Sequence, residues 1–349
     1  MTSSKVNQLG SRIKRFICSG DGNFGELALA LFSCQFDRNV PYQVFCQAQG
    51  MIPGNVKTWQ EIPAIPIQAF KTAVLSTSPG SPHAAVFHSS ATTSQIPGRH
   101  YLATLDYYHA SLESSFTKWV LPDGLSMPFV MLVPSPQEAP HSSLTDMLET
   151  VFRKLGRGGG YFIKRGAIDE PAVDRTLAYA ENKSSPVALL GTTIGFLSFF
   201  DCCEKSGKTY RLPEGSRIMD TGGMKTEKRV VDRREFLRLC RRFLDVPENR
   251  CINEYSMCEL SSQFYAVGSD PVLQVPPWVR VEIVEGLIRI YDLANVDSVM
   301  AVQTEDVGEY CGGGFILKGR ASGAERKGCS LALENYLSEQ DTLFGHSNS

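Results

Sequence analysis

The chain has 349 residues, 42% of them hydrophobic and 21% charged, with a formal net charge of −2 at neutral pH. That length supports a large core, since about 75% of the unfolded surface is buried at about 300 residues, and the composition excludes disordered and fibrous classes. A balance so close to neutrality gives no electrostatic reason for nucleic acid or an anionic membrane to be the partner.

Met1 to Gly20 mixes Lys5, Arg12, Lys14 and Arg15 into a polar stretch without an apolar block of signal-peptide length. The expectation is a mature protein that starts here and resides in the cytoplasm. Residues 5–60 read as helical: Phe24, Leu27, Leu29, Ala30, Leu31 and Phe32 form an apolar stripe, and Tyr42, Phe45 and Cys46 follow at i, i+3, i+4 spacing. The run Ile62 to Lys71 carries Pro63 and Pro66, which forbid a helix interior and favour an extended connector. Residues 84–88 read as a short strand entering a hydroxyl-rich loop, Ser89 to Gly98.

The middle alternates in the α/β manner. A strand over Pro128 to Val133 is followed by a helix from about Ser143, with Ser142 or Ser143 as its cap. Gly156 to Gly160 marks a turn, Pro186 to Leu190 another strand, and Arg233 to Leu244 a basic amphipathic helix. The apolar run Pro186 to Phe200 falls short of the about 20 residues a membrane span needs and reads as a buried strand and turn. Its aromatics Phe196, Phe199 and Phe200 suit either a packed core or the wall of an acyl tunnel. In the last third, Val279 to Val284, Gly286 to Tyr291, Val299 to Gln303 and Gly314 to Lys318 are short runs between turns, the pattern of an antiparallel β subdomain.

Ten cysteines (Cys18, Cys34, Cys46, Cys202, Cys203, Cys240, Cys251, Cys258, Cys311 and Cys329) lie at irregular spacing without a Cys-x-x-Cys pair. That argues against a zinc cluster and for reduced thiols in the cytosol. No Gly-x-x-x-x-Gly-Lys-Ser/Thr run occurs, which sets a P-loop NTPase aside.

Four segments hold chemistry-bearing side chains. Phe87 to His100 leads a strand into a loop with Ser89, Ser90, Thr92, Thr93 and Ser94, whose hydroxyls and free amides can wrap a polyphosphate, although such loops are commonly solvated turns. Asp220 to Thr226 carries Gly222 and Gly223, a pair that takes positive φ or lets backbone lie against a planar ring. In Asn253 to Leu260, Tyr255 and Glu259 sit four apart, as at a helix start, so that one element could stack a base and hold magnesium. Val302 to Glu309 and Phe315 to Arg320 supply Asp306, a carboxylate for ribose hydroxyls, and Arg320 beyond a glycine.

Taken in this order, the segments resemble the adenylate-forming enzymes, and in particular the LuxE-type acyl-protein synthetases near the phenylacetate ligases. The resemblance spans residues 60–334, including Ile-Pro-x-x-Pro-Ile-x-x-Phe-Lys71, Phe-His-Ser-Ser-x-Thr-Thr, Thr-Gly-Gly-x-Lys225, Gly-Arg320 and Lys-Gly-Cys-Ser-Leu331. It implies an α/β fold with a large adenylate-forming (ANL-like) domain over residues 61–320, preceded by a helical region at 1–60. A β-rich C-terminal part and a truncated tail at 321–349 complete it. It further implies that Ser89, Ser90, Thr92 and Thr93 embrace the β and γ phosphates of ATP, with Arg99 and His100 as weaker candidates. Gly222 and Gly223 border the adenine, Tyr255 stacks on it, Glu259 holds Mg2+, and Asp306 and Arg320 bind the ribose. His88 either orients the substrate carboxylate or is a buried structural histidine.

Family loops read Ser-Ser-Gly-Thr-Thr-Gly and Tyr-Gly-x-Thr-Glu; here Ala91, Ser94 and Ser256 replace glycines, and Cys258 replaces a threonine. After Arg320 only 29 residues follow in the 349-residue chain, against about a hundred in most of the superfamily, which points to the acyl-protein synthetases. Their acceptor is a cysteine of their own. Cys329, beside Arg326 and Lys327, is the thiol whose pKa neighbouring cations would lower; Cys311 lacks a nearby cation. The expected activity is formation of an acyl-AMP from a carboxylic, fatty acid, then transfer to Cys329 for a partner reductase. The alternatives are delivery to coenzyme A, a carrier protein or an amine, and an inactive homologue that only binds nucleotide or a partner.

Overall fold

The computed structural model describes residues 3–89, 96–222 and 231–321. In chain order the helices are α1 (Ser3–Ser19), α2 (Phe24–Arg38), α3 (Val40–Ala48), α4 (Ala69–Thr72), α5 (Asp106–Trp119), α6 (Ser143–Leu155), α7 (Glu170–Lys183), α8 (Thr193–Ser206) and α9 (Arg233–Leu244). The first strands are β1 (Ile65–Pro66), β2 (Ala85–His88), β3 (Arg99–Leu102), β4 (Phe129–Leu132), β5 (Gly159–Tyr161), β6 (Ile163–Lys164), β7 (Ala167–Ile168) and β8 (Ala188–Thr192). They are followed by β9 (Arg217–Thr221), β10 (Cys251–Tyr255), β11 (Phe264–Val267), β12 (Leu273–Gln274), β13 (Val279–Val284), β14 (Leu287–Asp292), β15 (Ala301–Cys311) and β16 (Gly314–Arg320). The fold class is α/β, as the alternating pattern predicts. Packing divides the described residues into two compact units: those of 1–111, 257–262 and 275 onward, and those of 112–256 and 263–274.

In the first unit α2 and α3 share one residue as their joint. The Asn39 amide donates to the Gln35 carbonyl at 2.9 Å and closes α2, while its side chain accepts from the Tyr42 amide at 3.3 Å and caps α3. Phe24, Leu27, Ala28, Leu31 and Phe32 form the buried stripe of α2, so Ala28 takes the place expected of Leu29 and Ala30, which are only half-buried. The last four strands pair antiparallel in sequence order, β13 to β16. Glu285 (φ 52°) and Gly286 (φ 82°) make the two-residue turn that this hairpin twist favours. Part of the proline-rich connector is more than a linker. Ile65 and Pro66 add β1 in parallel to β15, and the chain then enters the short helix α4. Strands β2 and β3 form a hairpin in which His88 pairs with Arg99.

In the second unit β5, β4, β8, β9 and β10 lie side by side in parallel, with β11 and β12 added antiparallel. Val130, Leu132, Leu189, Ile218 and Cys251 point from one sheet face into a core built with α7, α8 and α9. Phe196, Phe199 and Phe200 belong to that core, where Phe200 stacks on Phe243 at 5.5 Å. They are packing residues, each contributing about 1.5–3 kcal/mol on burial.

Two glycine-bearing runs differ from expectation. The Gly156–Gly160 turn ends in β5, which lies so close to β4 that a Cβ on Gly159 (φ 100°) would stand 2.0 Å from the Phe129 carbonyl oxygen. After β8 the chain starts a helix where a turn was expected, because the Thr192 hydroxyl caps α8 by accepting from the Gly195 amide at 3.0 Å.

Arg217 in β9 is fully buried and clasps both oxygens of Asp123, at 3.0 and 2.8 Å, while donating to the carbonyls of Val120 and Gly215. These bonds hold the Asp123 carboxyl well below the usual carboxylate range. Removing the guanidinium strands two buried carbonyls and leaves Asp123 with Arg250 alone, at 3.0 Å, so Arg217→Met should lose about 3 kcal/mol in urea denaturation at pH 7. A depressed carboxylate stabilises above its unfolded pKa of about 3.9 and ceases to do so as pH falls through its folded value. The deficit of Arg217→Met against the parent should therefore narrow in acid.

Candidate functional site

Within the first unit the segment 257–262 is fixed by side chains distant in sequence. His100 is fully buried, with Nδ1 2.9 Å from the Cys258 carbonyl and Nε2 2.7 Å from the Ser298 hydroxyl. A carbonyl only accepts, so Nδ1 carries the proton and Nε2 accepts from Ser298. Asn295 Nδ2 donates to the Glu259 carbonyl at 2.9 Å, and the Ser261 amide and Ser262 hydroxyl donate to Asp292 at 3.0 and 2.7 Å. Burial pushes the His100 pKa down to about 4. Both ring nitrogens are committed, Nδ1 to this segment and Nε2 to Ser298, which removes His100 from the phosphate-binding candidates.

The segment carries Glu259 to the base of the 89–98 loop. There the Ser89 amide donates to the Gly98 carbonyl at 2.9 Å, and the Gly98 amide donates back to the Ser89 hydroxyl at 2.8 Å. A Cβ on Gly98 would lie 2.7 Å from Glu259 Oε1 and 3.0 Å from Ser89 Oγ. Glu259 is 4% exposed, and burial pushes its pKa up to about 7, against the pull of Lys71 and Arg320 and with the push of Glu305. Asp306 faces Arg320 across the β15–β16 ladder, with Oδ1 3.4 Å from Nε. The Thr304 hydroxyl accepts from the Asp306 amide at 3.1 Å. His88 is half-buried at the end of β2 and has interactions of its own, so the fully buried structural histidine is His100 instead.

Within the second unit Asp220, Thr221 and Gly222 close β9. Asp220 is fully buried, paired with Arg233 at 2.6 Å and bonded to the Thr193 hydroxyl and Asn253 amide, each at 3.1 Å. Gly222 has φ 89° with open space where a Cβ would stand, so glycine serves the backbone angle there. Tyr255 ends β10, its ring 5.9 Å from Phe264 and tilted by 46°.

Tyr255 and Glu259, expected on one helix start, therefore stand on a strand end and a loop, and they fall in different packing units. Ser90, Thr92, Thr93, Gly223 and Cys329 lie outside the described residues, as do Ala91 and Ser94. Sequence reasoning missed Asn295 and Asp292, whose only signal was a polar cluster in the turn at 292–298, and Glu254, which the motif reading passed over between Asn253 and Tyr255.

No family model and no curated protein matches the sequence. Among solved structures the chain is similar to E. coli MenE with a bound phenylether-linked analogue of OSB-AMS, at 14% identity and a TM-score of 0.43, over 67% of this chain and 47% of that one. It is similar to the adenylation domain of a keto acid-selecting NRPS module bound to keto acyl adenylate, at 12% identity and 0.46, over 67% and 51%. A third is a long-chain-fatty-acid–CoA ligase from Archaeoglobus fulgidus, at 13% identity and 0.47, over 68% and 52%. The chain spans about half the length of these structures.

Buried acids give a pH signature. Glu259 and Glu254 keep their protons up to about 7 and Asp292 up to about 6, all through burial. Unfolded, such groups titrate at about 4, so between these values the folded chain binds more protons and stability falls as pH rises. His100 acts oppositely, costing stability as pH falls from about 6.5 toward its folded value. In thermal unfolding, the midpoint of Glu259→Gln minus that of the parent should increase from pH 5 to pH 8. A pH-independent difference would show that Glu259 does not hold its proton.

Proposed function

We propose that the chain activates a carboxylic acid with ATP. A carboxylate oxygen attacks the α-phosphorus, the bond to pyrophosphate breaks, and acyl-AMP forms; a thiolate then attacks the acyl carbon, giving a thioester and releasing AMP. The observation that carries this reading is the buried Glu259 carboxyl at the base of the hydroxyl-rich loop, facing the Ser89–Gly98 closure and within the field of Lys71 and Arg320.

A buried carboxyl that gives up its proton needs a cation in its place. Among the described residues no three His, Cys, Asp or Glu side chains cluster as a metal cage. Mg2+ characteristically uses one or two carboxylates together with substrate phosphates, so Glu259 would hold it. The ion's contribution would be to stabilise charge on the departing pyrophosphate. Asp306, held by Thr304 and facing Arg320, offers a carboxylate for ribose hydroxyls.

The remaining roles rest on sequence resemblance: Ser89, Ser90, Thr92 and Thr93 for the phosphates, Gly222, Gly223 and Tyr255 for adenine, His88 for the substrate carboxylate and Cys329 as acyl acceptor. So do a fatty substrate, a reductase or acyl-carrier partner and a cytoplasmic setting. Among the described residues no helix is long and apolar enough to cross a membrane.

The test is acid-dependent ATP/pyrophosphate exchange with fatty, aromatic and amino acids in parallel. Exchange with at least one class is expected, falling about 100-fold in Glu259→Gln and Asp306→Ala; silence across the panel would end the proposal. Cys329→Ser should keep pyrophosphate release yet retain no labelled acyl group after denaturation. Undiminished labelling would take Cys329 out of the reaction.

A further inference from the structure

On the second unit's sheet, Glu254 in β10 and Tyr265 in β11 are 2% and 0% exposed. They are direct partners in the antiparallel ladder, so their side chains rise from the same face. It is the face opposite α7, α8 and α9, because the neighbouring Asn253 points to Asp220, which binds α8 and α9 through Thr193 and Arg233. The Thr221 hydroxyl donates to Glu254 Oε2 and Ser256 interacts with the same carboxyl. Among the described residues, Glu254 Oε1 and the Tyr265 hydroxyl have no hydrogen-bond partner.

An orphaned buried polar group costs about 1–3 kcal/mol, and more when charged. Two orphans in direct register, on one face, can be met by one common occupant. Their position favours a ligand. Glu254 is next to last in β10 and Thr221 last in β9, strands that run parallel, and β9 breaks immediately afterwards at Gly222. Open parallel α/β sheets bind ligands at the carboxyl ends of their strands.

We propose that Glu254 and Tyr265 form a polar subsite for an amino or hydroxyl group carried by the carboxylic acid, which narrows the expected plain fatty acid to one bearing a hydrogen-bond donor. The identity of the ligand as the activated acid rests on the function proposed above; the subsite itself does not. Either group can donate to Glu254 Oε1. An ammonium can donate also to the Tyr265 oxygen, and a hydroxyl can accept from the Tyr265 hydroxyl. A site built to hydrogen-bond a substrate group discriminates against the analogue lacking it far more strongly than an apolar pocket does, because its own buried groups then stay unpaired.

The test is calorimetric titration of the full chain with matched acids: 4-aminobenzoate and 4-hydroxybenzoate against benzoate, and 6-aminohexanoate and 6-hydroxyhexanoate against hexanoate. At least one substituted acid should bind about tenfold or more tightly than its parent. Tyr265→Phe and Glu254→Gln should each abolish that preference while leaving the parent's affinity in place. The amino and hydroxyl arms identify the group. Equal or tighter binding of every parent, as expected if a buried water fills the gap, overturns the subsite. So does a preference that survives both substitutions, or no binding of any acid. Pyrophosphate exchange on the same panel is read separately. Preferential binding without exchange removes acid activation and leaves the subsite; exchange with the unsubstituted acids alone removes the subsite and leaves acid activation.

Discussion

A carboxyl group taken out of water must keep its proton, find a cation or be surrounded by donors. Asp292, Glu259 and Glu254 all live under that constraint, and they meet it in different degrees. Asp292 accepts from the Ser261 amide, the Ser262 hydroxyl and the Ala294 amide, so both its oxygens are satisfied and it serves as a structural knot. Glu259 feels Lys71 and Arg320 from a distance that leaves its pKa raised. Glu254 has one oxygen bonded to Thr221 and the other unmatched among the described residues. The less completely the fold answers a buried acid, the stronger the case that something outside the fold does.

The N-terminal helices bear on the candidate site through a chain of buried amides. Gln35 on α2 donates to the Asn295 carbonyl at 2.7 Å and accepts from the Met300 amide at 3.0 Å; Asn295 in turn donates to the carbonyls of Glu259 and Val299. His100 holds the neighbouring Cys258 carbonyl from β3. Glu259 is thus positioned from three places in the sequence, and none of the bonds involved uses its own side chain. A helical region that reads as mere scaffolding is tied to the geometry of a carboxylate more than two hundred residues later.

That kind of coupling sets the limit of what was legible beforehand. Elements with a strong period were readable: α9 runs over the residues its apolar face marks out, Ser142 caps α6, and the β13–β16 meander follows its turn glycines. Asp306 and Arg320, picked from separate segments, prove to be ladder partners, since alternation and a short turn together bring them opposite one another. What periodicity does not carry is long-range hydrogen bonding. His88 drew attention by standing before the loop, whereas His100 holds the structure, and only a β2–β3 register with partners at 258 and 298 distinguishes them. Likewise the four-residue spacing of Tyr255 and Glu259 suggested a helix start, but β10 continues through Tyr255 because Ile252 to Tyr255 pair with β11.

Gly98 and Gly222 each stand beside a buried acid, and they do so for unlike reasons. Gly98 has ordinary backbone angles, yet a Cβ there would press on Glu259 Oε1 and Ser89 Oγ; it exists to let a carboxylate approach the loop base. Gly222 has room for a side chain but a φ of 89°, so it exists to turn the chain as β9 ends beside Glu254. The first is a constraint on space around a charge, the second a constraint on backbone direction at a strand end. At Gly98 the constraint bears on a charged group, because the missing Cβ leaves the space that Glu259 Oε1 approaches.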